Sequence, residues 1–111
     1  MKKNEIIKDR LEEWVESKGF LNSRFTIIEL CKIIGINRTY LSNYINNTYG
    51  LNFNLWINHL RIEEAKQLMG QTPKRSLSEI AERIGFTDLA HFSEQFKLQE
   101  GVSPSEWRKN M

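Results

Sequence analysis

NFNLWINHLRIEEAKQLMG, residues 52–70, decides how the rest of the chain is read. Phe53, Trp56, Ile57, Leu60, Ala65 and Leu68 recur at helical spacing and keep one face mostly apolar, which predicts a helix that must cover something. Asn52 suits the N-cap, where its side chain can accept a free backbone N–H, and Gly70 suits a left-handed residue just past the end. About 17 residues between them, at about 1.5 Å each, make a rod of roughly 25 Å, long enough to hold two small units apart. The stretch reads as a spacer.

The units it separates emerge when the chain is slid against itself. Glu29 falls on Glu79, Ile34 on Ile84 and Gly35 on Gly85, with Leu30 over Ile80 and Cys31 over Ala81. After one inserted residue the match resumes: Ser42 falls on Ser93, Gly50 on Gly101 and Trp56 on Trp107, while Leu41 faces Phe92 and Ile45 faces Phe96. Two copies are too few for a solenoid, so the pattern predicts a duplicated supersecondary unit. The expected division is a first lobe over about residues 4–51, the spacer over about 52–70 and a second lobe over about 71–111.

The chain has 111 residues, 40% of them hydrophobic, enough for a modest core. No long apolar run is present, and the charged N-terminal stretch MKKNEIIKDRLEEW does not fit a secretory signal. One cysteine cannot form an internal disulfide, which fits a reducing compartment, and a cytoplasmic location is expected. The net charge is only +2. Charge alone therefore does not suggest a phosphate-tracking protein.

In chain order, Asn4 to Lys18 is the first expected helix, with Ile7, Leu11, Trp14 and Val15 on one side and Gly19 as its stop. Phe20 to Phe25 reads as a loop. Thr26 with Glu29, and Ser76 with Glu79, give the capping-box pattern; Ser103-Pro104 with Glu106 offers a further helix start with Pro in the first position. Each copy then runs as a short helix (Ile27 to Ile34, Leu77 to Ile84), a glycine able to take positive φ (Gly35, Gly85), one apolar residue (Ile36, Phe86) and a new N-cap (Asn37, Thr87). This is a helix-turn-helix, twice.

The second helix of each pair buries Leu41 and Ile45, or Phe92 and Phe96, and leaves its other face free. In the first copy that face carries Arg38, Thr39, Ser42, Asn43 and Asn46; in the second, Leu89, Ala90, Ser93, Glu94 and Lys97, with His91 at the side. Short polar side chains on one helix face usually mean solvation. Their duplication on a rigid spacer points instead to double-stranded DNA, whose successive major grooves lie about 34 Å apart on one face. Asn43 and Asn46 are the type that pairs with adenine, Arg38 suits guanine or phosphate, and Glu94 could accept from cytosine N4. Leu89 and Ala90 suit thymine methyls, and the helix starts at Asn37 and Thr87 present free N–H groups to phosphates.

Residues 80–108, IAERIGFTDLAHFSEQFKLQEGVSPSEWR, and the spacer segment LRIEEAKQLM, residues 60–69, resemble the DNA-binding domain of the AraC family of bacterial transcription regulators. The IGF turn, the Phe92 and Phe96 pair, Gly101 to Pro104 before an aromatic-Arg ending, and Arg61, Ala65 and Leu68 carry the resemblance. It implies an all-α fold of seven helices in two lobes, with bases read by the third and sixth helices, Arg38 to Asn47 and Asp88 to Gln99. Members usually join this domain to a sensing or dimerising domain, so the chain is expected to be either a stand-alone member or a C-terminal piece of a longer regulator, with RNA polymerase as an expected partner. Members often carry Arg in the sixth helix; here Glu94 stands there, beside Asp88, so a weak second-lobe contribution is expected. Arg38, Lys97 and Arg108 are the candidates for phosphate.

The remaining reactive residues read as structural. Cys31 occupies the place of Ala81 and lacks a nearby His; His59 and His91 have no second ligand at helical spacing, so neither a metal nor a cofactor is expected. Trp56 and Trp107 suit lobe cores, and Arg61 suits a structural ion pair. No nucleophile is assembled with a base, so an enzyme is not expected. The rival reading is a helical module that binds another protein.

Overall fold

The computed structural model describes residues 2–111 and is all-helical. Seven α-helices follow in order: α1 (Lys3–Glu16), α2 (Ile27–Ile34), α3 (Arg38–Tyr49), α4 (Phe53–Met69), α5 (Leu77–Arg83), α6 (Leu89–Glu100) and α7 (Pro104–Lys109), with a 3₁₀ turn at Gly19–Leu21. The molecule is elongated, 46 × 25 × 23 Å. Among the described residues no helix is long and apolar enough to cross a membrane.

Local capping chemistry sets most helix starts. Thr26 accepts from the Glu29 N–H, Asn37 from Tyr40, Asn52 from Leu55, Ser76 from Glu79 and Ser103 from Glu106, each satisfying a donor that the first turn leaves free. Gly35, Gly50, Gly85 and Gly101 all have positive φ, and Gly50 and Gly101 end α3 and α6 as matched left-handed caps.

Three terminal assignments differ from expectation. The N-cap of α6 is Asp88, not Thr87: the Asp88 carboxylate accepts from the His91 N–H at 2.7 Å, and Thr87 lies one residue outside the helix. Asp88 is thus the counterpart of Asn37, and Thr87 is the residue inserted between the two copies. Helix α1 stops at Glu16, and the left-handed residue after it is Lys18 (φ 60°), not Gly19. Gly19 is needed for room: a Cβ there would stand 2.2 Å from Trp14 Nε1. Gly70 has right-handed geometry (φ −86°), because three-residue turns from Gly70 N–H to Gln67 O and from Gln71 N–H to Leu68 O close the helix without it.

Two hydrophobic clusters form. The first gathers Ile7, Leu11, Trp14, Phe20, Leu30, Cys31, Ile34, Leu41, Ile45, Trp56 and Ile57; Trp14 packs on Phe25 and Trp56, and Tyr49 stacks on Trp56 at 4.9 Å. The second gathers Ile62, Ala65, Met69, Ile80, Ala81, Ile84, Phe86, Phe92 and Phe96, with Phe96 edge-on to a half-buried Trp107. Helix α4 contributes to both. Its burial is therefore not one stripe: Trp56 and Ile57 face the first cluster, whereas Ile62, Ala65 and Met69, turned well round the axis, face the second. Ile62 and Met69 fall outside the single face expected from sequence for that reason.

Candidate nucleic-acid interface

Helix α3 grows from the Gly35 turn, with Leu41 and Ile45 fully buried four residues apart. The 3.6-residue period then turns Arg38, Thr39, Asn43 and Asn46 fully outward and leaves Ser42 half-buried; Asn37 is exposed but engaged as the cap. Helix α6 repeats this with Phe92 and Phe96 buried, Leu89, Ala90, His91, Glu94 and Lys97 exposed, and Ser93 half-buried. Thr87 is exposed in the turn before α6. The structure so presents two similar helix faces, each beginning just after a tight turn.

The faces differ in their internal bonding. Asn46 turns its side-chain amide back along the helix, donating to Ser42 O at 3.0 Å, whereas Asn43 has no such bond among the described residues. His91 lies edge-on to Phe86, with ring centres 5.2 Å apart. Glu94 enters no ion pair among the described residues, and the Asp88 carboxylate is held at the positive end of α6, where helix dipole and cap stabilise its charge. Arg108, a candidate for phosphate, has its Nε and Nη2 enclosed and without hydrogen-bond partners, so these atoms do not face outward.

Helix α6 is fixed to α4 by a polar ladder on its other side. Asn58 donates to Gln95 at 3.2 Å, His59 pairs with Gln99 at 3.2 Å, and Lys66 bridges Glu63 at 2.7 Å and Glu100 at 3.2 Å. Burial works against the Lys66 charge, but hydrogen bonds and charges of Glu63 and Glu100 outweigh it and hold its pKa above the ordinary lysine value. Gln95, Gln99 and Glu100 are thereby occupied within the molecule.

Two residues next to α3 escape a reading of single helices. Tyr40 donates its hydroxyl to Asn4 Oδ1 at 2.7 Å, and Lys3 Nζ lies 4.1 Å from the Tyr40 ring centre. The start of α1 is thus docked beside α3, where Asn4, Tyr40, Asn43, Tyr44, Asn47 and Thr48 line a groove of about 300 Å³. No local motif marks this contact, which spans 36 residues of sequence. Arg61 also departs from expectation: it makes no ion pair among the described residues and donates instead to the carbonyls of Phe20 and Asn22. No cluster of three or more His, Cys, Asp or Glu able to hold a metal occurs among the described residues.

Comparison with known proteins places this architecture. A family model described as a helix-turn-helix domain matches residues 30–110. The raffinose operon transcriptional regulatory protein RafR of Pediococcus pentosaceus is 34% identical over 86 residues, covering 78% of this chain and 31% of that protein. The chain spans about a third of the length of RafR and of similar regulators from Streptococcus mutans and Bacillus subtilis. Among solved structures, the C-terminal domain of AraT, a response regulator from Geobacillus stearothermophilus, superposes with a TM-score of 0.81 at 27% identity, covering 96% of this chain and 85% of that one. The DNA-binding domain of the global transcriptional factor AdpA, solved with a target DNA, shares the fold at a TM-score of 0.79 and 22% identity, over 94% of this chain and 90% of that one. Matched over most of its length by the family model and built as two helix-turn-helix units on one spacer, the chain belongs to the AraC family of transcription regulators, as its DNA-binding domain.

Proposed function

We propose that the domain binds double-stranded DNA sequence-specifically, with α3 and α6 in successive major grooves on one face of the duplex, and that the protein carrying it regulates transcription in the cytoplasm. The observation that carries this reading is the pair of matched exposed faces, on α3 and α6, set on one continuous α4. A molecule 46 Å long reaches across two major grooves about 34 Å apart. Asn43 and Asn46 serve base reading in the first groove, Arg38 guanine or phosphate, and the α3 start at Asn37 a phosphate; Thr39 and Ser42 complete that face. In the second groove Leu89 and Ala90 meet thymine methyls, with Thr87, His91, Ser93 and Lys97 around them and Glu94 at the centre. RafR and AdpA, named as transcriptional proteins, support the regulatory role. A sensing or dimerising domain and RNA polymerase are the proposed partners of the whole protein.

One observation favours a protein-binding role instead: Leu98 is 79% exposed and, with Leu51, Leu55 and Ile62, borders an apolar groove of about 320 Å³ between α4 and α6. Hydroxyl-radical footprinting on a duplex selected from a random library tests the DNA reading. Two protected segments one helical turn apart on one face are expected; a single segment, or binding only as a symmetric dimer on a palindrome, overturns it.

A further inference from the structure

The two hydrophobic clusters meet at one cation. Arg61 stands in the middle of α4 with only 9% of its surface exposed. Its Nε donates to Phe20 O at 2.8 Å and its Nη2 to Asn22 O at 2.9 Å, so the carbonyls around the 3₁₀ turn take the place of an acidic partner. Burial lowers its pKa, yet an arginine so placed keeps its charge. Phe20 belongs to the first cluster and Leu21 packs against both.

The other side of the guanidinium meets the second helix-turn-helix. Gly85, in the turn that leads into α6, comes so close that a Cβ would stand 2.9 Å from Arg61 Nε and 2.7 Å from Leu21 O. The guanidinium carbon lies 5.8 Å from the centre of the Phe86 ring. Three segments therefore close on one side chain: the spacer, the turn that ends at Asn22, and the turn that aims α6. The planar fork suits this task, because it donates in two fixed directions at once while its face meets a ring.

We propose that Arg61 is a positioning residue that sets the spacing and phase of α6 relative to α3, by locking the Phe20–Asn22 turn against the Gly85 turn. The proposal rests on the two-groove reading. Without the fork, α4 and the polar ladder at Asn58, His59 and Lys66 still connect the two halves, and each half keeps its own core. What is lost is the rigid angle between the reading helices.

The test measures the full chain, wild type, Arg61→Gln and Arg61→Lys, on a duplex selected by the wild type and on versions in which one or two base pairs are inserted between the two protected segments. Circular dichroism and thermal melting establish that each variant is folded. The wild type is expected to lose about 10-fold or more in affinity on the respaced duplexes, because engagement of the second module needs matching geometry. For Arg61→Gln, binding to the original duplex weakens and the respacing penalty shrinks to about two- to threefold. Arg61→Lys keeps the charge but reaches one carbonyl, and it carries the test if the Gln variant does not fold. A residue that only supports stability would weaken binding by the same factor at every spacing. A wild type indifferent to spacing overturns the two-groove reading and this proposal with it. A spacing-sensitive wild type with equally sensitive variants overturns the role of Arg61 alone.

Discussion

Replacing Asn43 and Asn46 separately by alanine tests whether α3 reads bases, and the structure predicts unequal losses. A bidentate contact with adenine needs the side-chain oxygen and an N–H aimed together at one base edge. Asn43 is exposed and free of internal bonds among the described residues, so both groups are available. Asn46 already donates to Ser42 O at 3.0 Å and must rotate away from it to reach a base. Giving up that bond costs about 0.5–1.5 kcal/mol, which offsets part of whatever the base contact contributes. Losing a bidentate pair costs about 1–3 kcal/mol, roughly 5- to 150-fold in affinity. Asn43→Ala is expected in that range on the selected duplex, and Asn46→Ala about 1 kcal/mol lower. Fluorescence anisotropy with the selected and a scrambled duplex measures both. Equal losses on the two duplexes refute base reading, and a larger loss at Asn46 than at Asn43 refutes the cost assigned to its intrahelical bond.

Glu94→Gln is expected to tighten binding to selected and scrambled duplexes alike, more at 0.01 M salt, where the Debye length is about 30 Å, than at 0.15 M; selective weakening on one duplex would instead show that the carboxylate accepts from cytosine. Asp88→Ala removes the α6 cap and should cost about 1 kcal/mol of stability, whereas Asp88→Asn keeps the cap and should melt close to wild type, so equal melting temperatures for the two variants contradict the capping role. Gly19→Ala places a methyl 2.2 Å from Trp14 Nε1 and 2.7 Å from its Cε2, against a ring backed by Phe25 and Trp56. Such overpacking should cost about 1–3 kcal/mol in a urea titration, and an unchanged midpoint would mean that the indole yields freely.

The architecture was legible wherever its causes are local. Thr26, Asn52, Ser76 and Ser103 cap helices because a short oxygen-bearing side chain meets N–H groups three residues on, a relation visible in sequence. The outward faces of α3 and α6 follow from the buried pairs Leu41 with Ile45 and Phe92 with Phe96. The cap of α6 falls at Asp88 and not Thr87 because Thr87 is itself the single inserted residue, and Asp88, one step later, offers the stronger acceptor. What sequence could not show is long-range. Arg61 reads from sequence as half of an ion pair, because its partners are backbone carbonyls 41 and 39 residues away, which carry no residue-type signature. A local exception is Asn46, whose side-chain amide bonds Ser42 O on its own helix, which a helical period does not reveal.

Helix α4 seats one core on its first turns and the other on its last, and this makes its length a constrained quantity in evolution. Inserting one residue between Ile57 and Ile62 leaves both packing seats intact but rotates everything beyond by about 100° and advances it by about 1.5 Å. Both halves could still fold, yet α6 would point away from the duplex that α3 faces. An insertion of about seven residues, two helical turns, restores the phase to within about 20° and lengthens the rod by about 10.5 Å, close to three base-pair rises of 3.4 Å. A length change in this helix that keeps α3 and α6 on one side of the molecule is therefore expected near seven residues, while single-residue insertions are expected to be absent from functional descendants.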